Sequence, residues 1–341
     1  MSAGRPRTAD RVAVLSGGIG GVKLVEGLTE LLPGDALSVI CNTGDDLELW
    51  GLHVSPDVDT VLYTLSGLVN REQGWGVESD TYEALEMVKR YGEATWFLLG
   101  DRDIGTHLLR TSMLRQGRRL TEVTLELARR LGIGARVIPA TDDPVRTFVL
   151  TPDGELDFQT YFVRRRFEPP VEEVRFHGAD DAVPSPEAAA ALLTASTILI
   201  APSNPVASIG PMLAVRGFRQ ALAQAGGLRV AISPLIGGEA VKGPTVQMME
   251  ATNLPATPIG VAQAYEGLID ALVIDRQDVA YKPELEEFGL SVLATDTLME
   301  GFEGRLRLAA EVLDYCSVLG LKRAREREPG PRKEPGPRAV D

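Results

Sequence analysis

The sequence predicts an α/β fold of the doubly wound, Rossmann-like kind: a mainly parallel sheet with helices on both faces and an inserted hairpin and helical subregion. Three observations carry this reading. Short apolar runs of strand length alternate with stretches of helical periodicity. Most of these runs end in a polar, glycine-rich turn. The alternation continues through both halves of the 341-residue chain with no linker-like segment between them.

Taken in order, Val12-Ala-Val-Leu15 reads as a short buried strand that enters the turn Ser16-Gly-Gly-Ile-Gly-Gly21. Val22, Leu24, Val25, Leu28, Leu31 and Leu32 then recur at helical spacing until Pro33-Gly34 stops the run. Leu37-Ser-Val-Ile-Cys41 is a second strand ending at Asn42-Thr-Gly-Asp-Asp46. Thr95-Trp-Phe-Leu-Leu99 is another, ending at Gly100-Asp-Arg-Asp103 and placing Trp96 in the core. A strand over 136–139 precedes a hairpin whose arms, 146–150 and 156–163, meet at Pro152-Asp-Gly154. With the proline-rich stretch 167–186, this hairpin forms an insertion at about 146–190. The alternation resumes with a strand over 197–200 running into Ala201-Pro-Ser-Asn-Pro205 and a helix over 209–224. A strand over 228–232 comes next, running into Ser233-Pro-Leu-Ile-Gly-Gly238, then a helix over roughly 244–252. Strands over 271–274 and 291–294 and an amphipathic helix over 300–318 close a single domain, residues 11–320. A flexible basic N-terminus (1–10) precedes it. A disordered tail (321–341) trails it, in which Glu328-Pro-Gly-Pro-Arg332 repeats as Glu334-Pro-Gly-Pro-Arg338.

Composition narrows the function classes. The net charge of −13 makes a poor partner for nucleic acid, which rewards clustered Lys and Arg. Residues 1–11 carry +2 and residues 321–341 carry +3, which leaves −18 on the body. Two distant cysteines, Cys41 and Cys316, point to a reducing, cytoplasmic setting. Three histidines and no CxxC or HExxH stretch argue against a zinc site of ordinary spacing. The N-terminus lacks the apolar stretch of a signal peptide, and no apolar run is long enough to span a membrane.

In an open parallel sheet, ligands sit beyond the carboxyl ends of the strands, where these polar turns would converge. Gly17, Gly18, Gly20 and Gly21 before a helix suit a phosphate: glycine lets the backbone come close, and the free amides of the helix start favour an anion. A tight strand-to-helix turn also wants glycine. The spacing matches neither a P-loop nor the dinucleotide fingerprint, which weakens a nicotinamide dehydrogenase reading. Asp45, Asp46, Asp57, Asp59, Asp101 and Asp103 concentrate carboxylates beside that turn, and a divalent cation, Mg²⁺, would reconcile them with a phosphate. The alternative is that each caps a helix or turn, for which Asp59 before Val61-Leu62 is well placed. Arg102 between two aspartates is a local ion pair or a phosphate ligand. Ser203-Asn204 between prolines offers a hydroxyl and an amide, and Ser208-Ile-Gly210 a cap or an anion seat. Trp75 between glycines is the best candidate to stack on a planar ring. His107 reads as a satisfied helix histidine, and Met248-Met249 as helix packing.

The ordered set GGIGGVK, NTGDD, SPDVDTVLY, GWG, GDRDIGTHLLR, APSNPVASIGPML and SPLIGG…KGP resembles the 2-phospho-L-lactate transferase family (CofD, or FbiA in actinobacteria), from about residue 11 to about 315. The resemblance implies an enzyme of coenzyme F-420 biosynthesis. Its donor would be a guanosine diphosphate ester of lactate or enolpyruvate, and its acceptor the ribityl hydroxyl of 7,8-didemethyl-8-hydroxy-5-deazariboflavin, with GMP released. It further implies Mg²⁺ on Asp45 and Asp59, both catalytic, with Asp59 near the deazaflavin hydroxyl and Asp46 and Asp57 orienting them. Gly17, Gly18, Gly20 and Gly21 would approach the diphosphate, and Ser203, Asn204 and Ser208 to Gly210 would serve the guanosine. Trp75 and Asp101 to Asp103 would flank the deazaflavin. A homodimer would be usual for the family. The rival is a non-catalytic regulator of the YvcK type, which binds a nucleotide sugar and shares the glycine turn; the SPDVDT and GDRD motifs favour the transferase.

Overall fold

In the computed structural model, residues 11–240 and 243–327 are described. Seven strands form the central sheet: β1 (Val12–Ser16), β2 (Leu37–Cys41), β3 (Arg136–Pro139), β4 (Thr197–Ile200), β5 (Leu228–Ile232), β6 (Ala271–Asp275) and β7 (Ser291–Thr295). Their spatial order is β7-β6-β5-β4-β1-β2-β3, and every neighbouring pair is parallel. The chain runs outward from β1 through β2 and β3, then returns to lay β4 on the other side of β1. The direction of winding therefore reverses between β1 and β4, the place where doubly wound folds open a crevice.

The strands read as unbroken apolar runs because both faces are covered. Ala13 and Leu15 of β1 enter one core with Ile40, Ile198 and Ile200. Val12 and Val14 enter the other with Val39, Leu199 and Val230. This is the period of two that a strand imposes. Among the helices are α1 (Gly18–Leu31), α2 (Pro56–Leu65), α3 (Asp101–Arg115) and α4 (Gly301–Arg327). Helices α1 and α4 pack together over the second core. Buried Glu26 of α1 pairs with Arg305 of α4 and, at 2.8 Å, with Arg71 in the loop that leads to Trp75.

Several sequence-based expectations change. The segment 95–99 is irregular rather than a strand, and Trp96 is half-buried on a cavity wall instead of in the core. An apolar run of that length fits a strand or a cavity lining equally well. The insertion is a three-stranded antiparallel sheet, ordered Gly154–Asp157, Arg146–Thr151, Glu173–His177, and its third strand lies in the proline-rich stretch. The second hairpin arm ends at Asp157 because that carboxylate accepts the Thr160 amide at 2.9 Å and starts a wide helical turn over Thr160–Arg164. The helix expected over 209–224 is two, Gly210–Ala214 and Phe218–Gln224, broken where Gly217 takes a left-handed φ of 87°.

The closing helix also outruns its expected end, so 321–327 are helical rather than part of a disordered tail. Lys322 and Arg323 favour a helix, no proline intervenes before Pro329, and Arg323 donates to Asp270 Oδ1 at 2.9 Å. The N-terminal segment 1–10 and the repeats beyond Arg327 lie outside the described residues. Asp270 also receives Arg229 through Nε at 3.1 Å and NH2 at 2.8 Å. Burial works against its charge, yet the Arg229 and Arg323 contacts outweigh it and hold the carboxyl below its ordinary value. Asp270→Asn is therefore expected to cost about 1–2 kcal/mol at neutral pH, allowing for partial exposure. A group with a lowered folded pKa stabilises above its unfolded pKa and loses that contribution on acidification. The gap between the two urea curves should close as the pH falls through about 4 and below.

Candidate active site

A cavity of ≈430 Å³ opens at the carboxyl edge of the sheet, within the usual size of a ligand pocket. Its lining comes from the turns after β1 (Gly17 to Gly20), β2 (Asp45), β4 (Pro202 to Asn204), β5 (Ser233, Pro234) and β7 (Thr297 to Met299), as the alternation of strands and polar turns predicts. The ends of α2 and α3 and the inserted subregion complete the walls.

The turn after β1 is braced before any ligand arrives. Gly18 holds a left-handed φ of 65°, and its amide donates to Asp57 Oδ1 at 2.7 Å. A Cβ on Gly17 would lie 2.7 Å from Ser208 Cβ and 2.9 Å from Asp57 Oδ2, so only glycine lets these chains meet. The Ser203 hydroxyl donates to the Gly17 carbonyl at 2.7 Å and accepts the Gly17 amide at 3.3 Å. Asn204 folds its own loop by accepting the amides of Val206 and Ala207 through Oδ1, at 2.9 and 3.1 Å. Ser203, Asn204 and Ser208 all line the cavity; Gly21 and Gly210 do not. A Cβ on Gly21 would meet the Ser16 and Ser203 hydroxyls, and one on Gly210 the Phe176 ring, so both are packing positions.

Four aspartates line the cavity: Asp45, Asp57, Asp59 and Asp103. Asp57 accepts from Gly18 and from Asn42 Nδ2 at 3.0 Å, and burial nevertheless pushes it up to about 6. Asp45 stands well above the ordinary carboxylate range, first through burial and then through the nearby Asp57 charge. Its Oδ1 is buried without a partner among the described residues. Asp46 is buried behind the cavity, where its Oδ2 accepts the Ser55 hydroxyl at 2.6 Å and lies 3.0 Å from His53 Nε2.

Asp59 is not the N-cap that the sequence allows. Its amide donates to the carbonyl of Ser55, the residue that opens α2 ahead of Pro56. Both its carboxylate oxygens belong to Arg110 of α3: NH1 donates to Oδ2 at 3.0 Å and NH2 to Oδ1. Arg110 is 0% exposed, and NH1 also donates to His107 Nδ1 at 3.2 Å and to the His53 carbonyl at 3.4 Å. His107 is indeed a buried helix histidine, but it also lines the cavity, 3.0 Å from Asp103 Oδ1 through Nε2.

The GDRD motif divides its labour. Asp101 faces away from the cavity and caps the helix Glu83–Arg90, accepting the Ala84 amide at 2.9 Å, the Glu83 amide at 3.1 Å and the Thr81 hydroxyl at 2.7 Å. These bonds, Thr81 foremost, hold its carboxyl below the usual range. Arg102 is turned outward and donates to the Glu78 carbonyl at 3.1 Å. Of the three, Asp103 lines the cavity and Asp101 and Arg102 do not.

Trp75 lines the cavity and is 36% exposed, as a stacking residue requires. Phe158, Gln159 and Phe162 of the insertion join it, with the Phe158 and Phe162 rings stacked at 5.5 Å. Those residues and the 96–99 wall lie outside every sequence motif, whereas Lys23 and Tyr63 close the GGIGGVK and SPDVDTVLY motifs without being singled out there. The signal for Phe158 and Phe162 is their spacing of four, which an expected strand period hides.

The chain matches the family model described as 2-phospho-L-lactate transferase CofD over residues 12–298. It is similar to a 2-phospho-L-lactate transferase of Methanosarcina mazei, 39% identical over 300 residues, which spans 88% of this chain and 98% of that one. A phosphoenolpyruvate transferase of Streptomyces coelicolor is 42% identical over 315 residues, covering 91% and 99%. A 2-phospho-L-lactate transferase of Methanopyrus kandleri is 44% identical over 313 residues, covering 91% and 98%. Among solved structures, protein BH3568 of Bacillus halodurans aligns with a TM-score of 0.60 at 17% identity, over 90% of this chain and all of that one, which bears on the fold alone. Identity at this level along nearly the whole chain settles kinship where a glycine turn alone could not, and it sets the regulator and dehydrogenase readings aside: this chain is a transferase and belongs to the 2-phospho-L-lactate transferase CofD family.

Proposed function

We propose that this transferase moves a phospholactate-type or phosphoenolpyruvate-type group from a guanosine diphosphate ester to the ribityl hydroxyl of 7,8-didemethyl-8-hydroxy-5-deazariboflavin, releasing GMP, as a step in coenzyme F-420 biosynthesis. One observation carries the reading: a single cavity brings together a helix-start glycine turn, Lys23, aromatic rings that include Trp75, Trp96 and Phe158, and buried carboxylates. The turn and lysine suit a diphosphate, the rings a planar heterocycle, and the carboxylates a hydroxyl and a cation. The hydroxyl attacks the distal phosphorus in line, and the bond to GMP breaks. Such transfer needs positioning and charge neutralisation more than covalent chemistry.

Mg²⁺ fits the residues present. Asp45 offers a buried, unpartnered oxygen, and Asp57 lies close enough to perturb it. Asp45 would hold the ion with Asp57 beside it, while Asp59, bound to Arg110, is withdrawn from the ligand role that the family resemblance implies. No three acidic, His or Cys side chains among the described residues converge as a ready cage, so donor phosphate and water would complete the shell. When bound, the ion would offset diphosphate charge among the aspartates. A homodimer completes the proposal.

The test is incubation of the purified protein with the deazaflavin, Mg²⁺ and either guanylylated lactate or guanylylated phosphoenolpyruvate donor. GMP and the deazaflavin phosphodiester should appear in equal amounts with at least one donor. Silence with both donors sinks the reading. The two names borne by the relatives make the choice of acid an outcome of the same assay.

A further inference from the structure

A hydroxyl that attacks phosphorus loses a proton, and the hydrogen bonds of the cavity carboxylates decide where it goes. Asp57 spends one oxygen on the Gly18 amide and the other on Asn42. Asp59 spends both on Arg110. Asp45 keeps a free oxygen, but a fully buried one beside another carboxylate, suited to a cation. Asp103 differs from all three. It is 8% exposed and lines the cavity, its Oδ1 accepts the Tyr63 hydroxyl at 2.5 Å, and its Oδ2 accepts no hydrogen bond from any described residue.

The neighbours of Asp103 are also fixed. A guanidinium only donates, so His107 Nδ1, 3.2 Å from Arg110 NH1, is an acceptor and carries no proton. The imidazole proton then sits on Nε2, facing Asp103 Oδ1 across 3.0 Å. Tyr63 therefore donates to Oδ1, His107 Nε2 stands beside that oxygen without completing a hydrogen bond, and Oδ2 is left for a ligand in the cavity. The Asp59–Arg110 pair sets the tautomer from behind.

We propose that Asp103 is the catalytic residue that accepts the acceptor hydroxyl's proton on Oδ2, with Tyr63 as the positioning residue. This rests on the transfer to a hydroxyl proposed above. The O–H bond breaks and its electron pair becomes the new oxygen–phosphorus bond. The phosphorus–oxygen bond to GMP breaks with its pair going to GMP. The proton rests on Asp103 and passes to solvent.

The experiment uses the full-length protein with Mg²⁺, deazaflavin and whichever donor is turned over. Asp103→Asn keeps the shape and an acceptor for Tyr63, but removes the basic oxygen. Its kcat is expected to fall by ~100-fold or more, with the KM for deazaflavin within about threefold of wild type and an unchanged melting curve. Asp103→Ala leaves room for a small carboxylate, so added formate should restore its turnover by about tenfold or more, which no structural role would allow. An active wild type with Asp103→Asn at near-normal kcat, a loss confined to KM, or a folded Asp103→Ala indifferent to formate would each overturn the assignment. A wild type silent with both donors would instead overturn the transfer reading and this one with it.

Discussion

Arg110→Ala is expected to destabilise the protein by about 3–5 kcal/mol, the range found when one member of a buried ion pair is removed. The side chain is fully buried, and its partner Asp59 is 4% exposed. Burial works against the guanidinium charge, and the Asp59 carboxylate more than offsets it, so Arg110 stays charged. Cutting the arginine back strands Asp59 between α2 and α3 with only the Ser55 amide, 3.3 Å from Oδ2, as a donor among the described residues. His107 loses the donor that sets its tautomer, so turnover should fall beyond what instability explains. Urea denaturation at constant slope checks the first claim. The double change Asp59→Leu with Arg110→Met removes both charges and should recover most of the stability but none of the activity, because swapping a buried pair for apolar groups is often near neutral. Equal stability for Arg110→Ala and wild type would show that the pair is dispensable.

That pair also marks the limit of what the sequence could tell. The seven sheet strands were legible because parallel strands covered on both faces are short unbroken apolar runs, and the turns behind them bear glycine or aspartate where a ligand approaches. The cavity edge came from those two facts. The role of Asp59 did not, since its partner lies 51 residues away on another helix, a distance no local pattern reports. Asp101 and Asp103 look equivalent in GDRD, yet they stand about 200° apart around the first turn of α3. One therefore caps a neighbouring helix and the other enters the cavity. The run 95–99 misleads for a related reason: apolar residues serve a cavity as readily as a sheet, and only tertiary context tells them apart. The breaks at Asp157 and Gly217 turn on one hydrogen bond and one backbone angle, both invisible to periodicity.

Asp45→Asn separates the energetics of the site from its chemistry. Asp45 has a buried oxygen with no partner among the described residues and lies near Asp57, an arrangement that favours the uncharged carboxyl. An asparagine of the same size removes the charge, so the variant without metal should melt no lower than wild type. Turnover should move the other way. A cation's charge stabilisation is worth several kcal/mol at the transition state, so its loss should reduce kcat/KM on the order of 10³-fold. Mg²⁺ links the two measurements. Binding to the folded state raises stability by RT ln(1 + [L]/Kd), so millimolar Mg²⁺ should raise the melting temperature of wild type in a way that EDTA reverses. The same titration should leave Asp45→Asn flat. Asp46→Asn, altered behind the cavity, should retain a Mg²⁺ response, since its Oδ2 serves Ser55 and His53. An undiminished Mg²⁺ shift in Asp45→Asn would move the ion elsewhere. A flat response in wild type would count against an ion held by Asp45 without the donor, and repeating the titration with GDP added would show whether a diphosphate must complete the shell first.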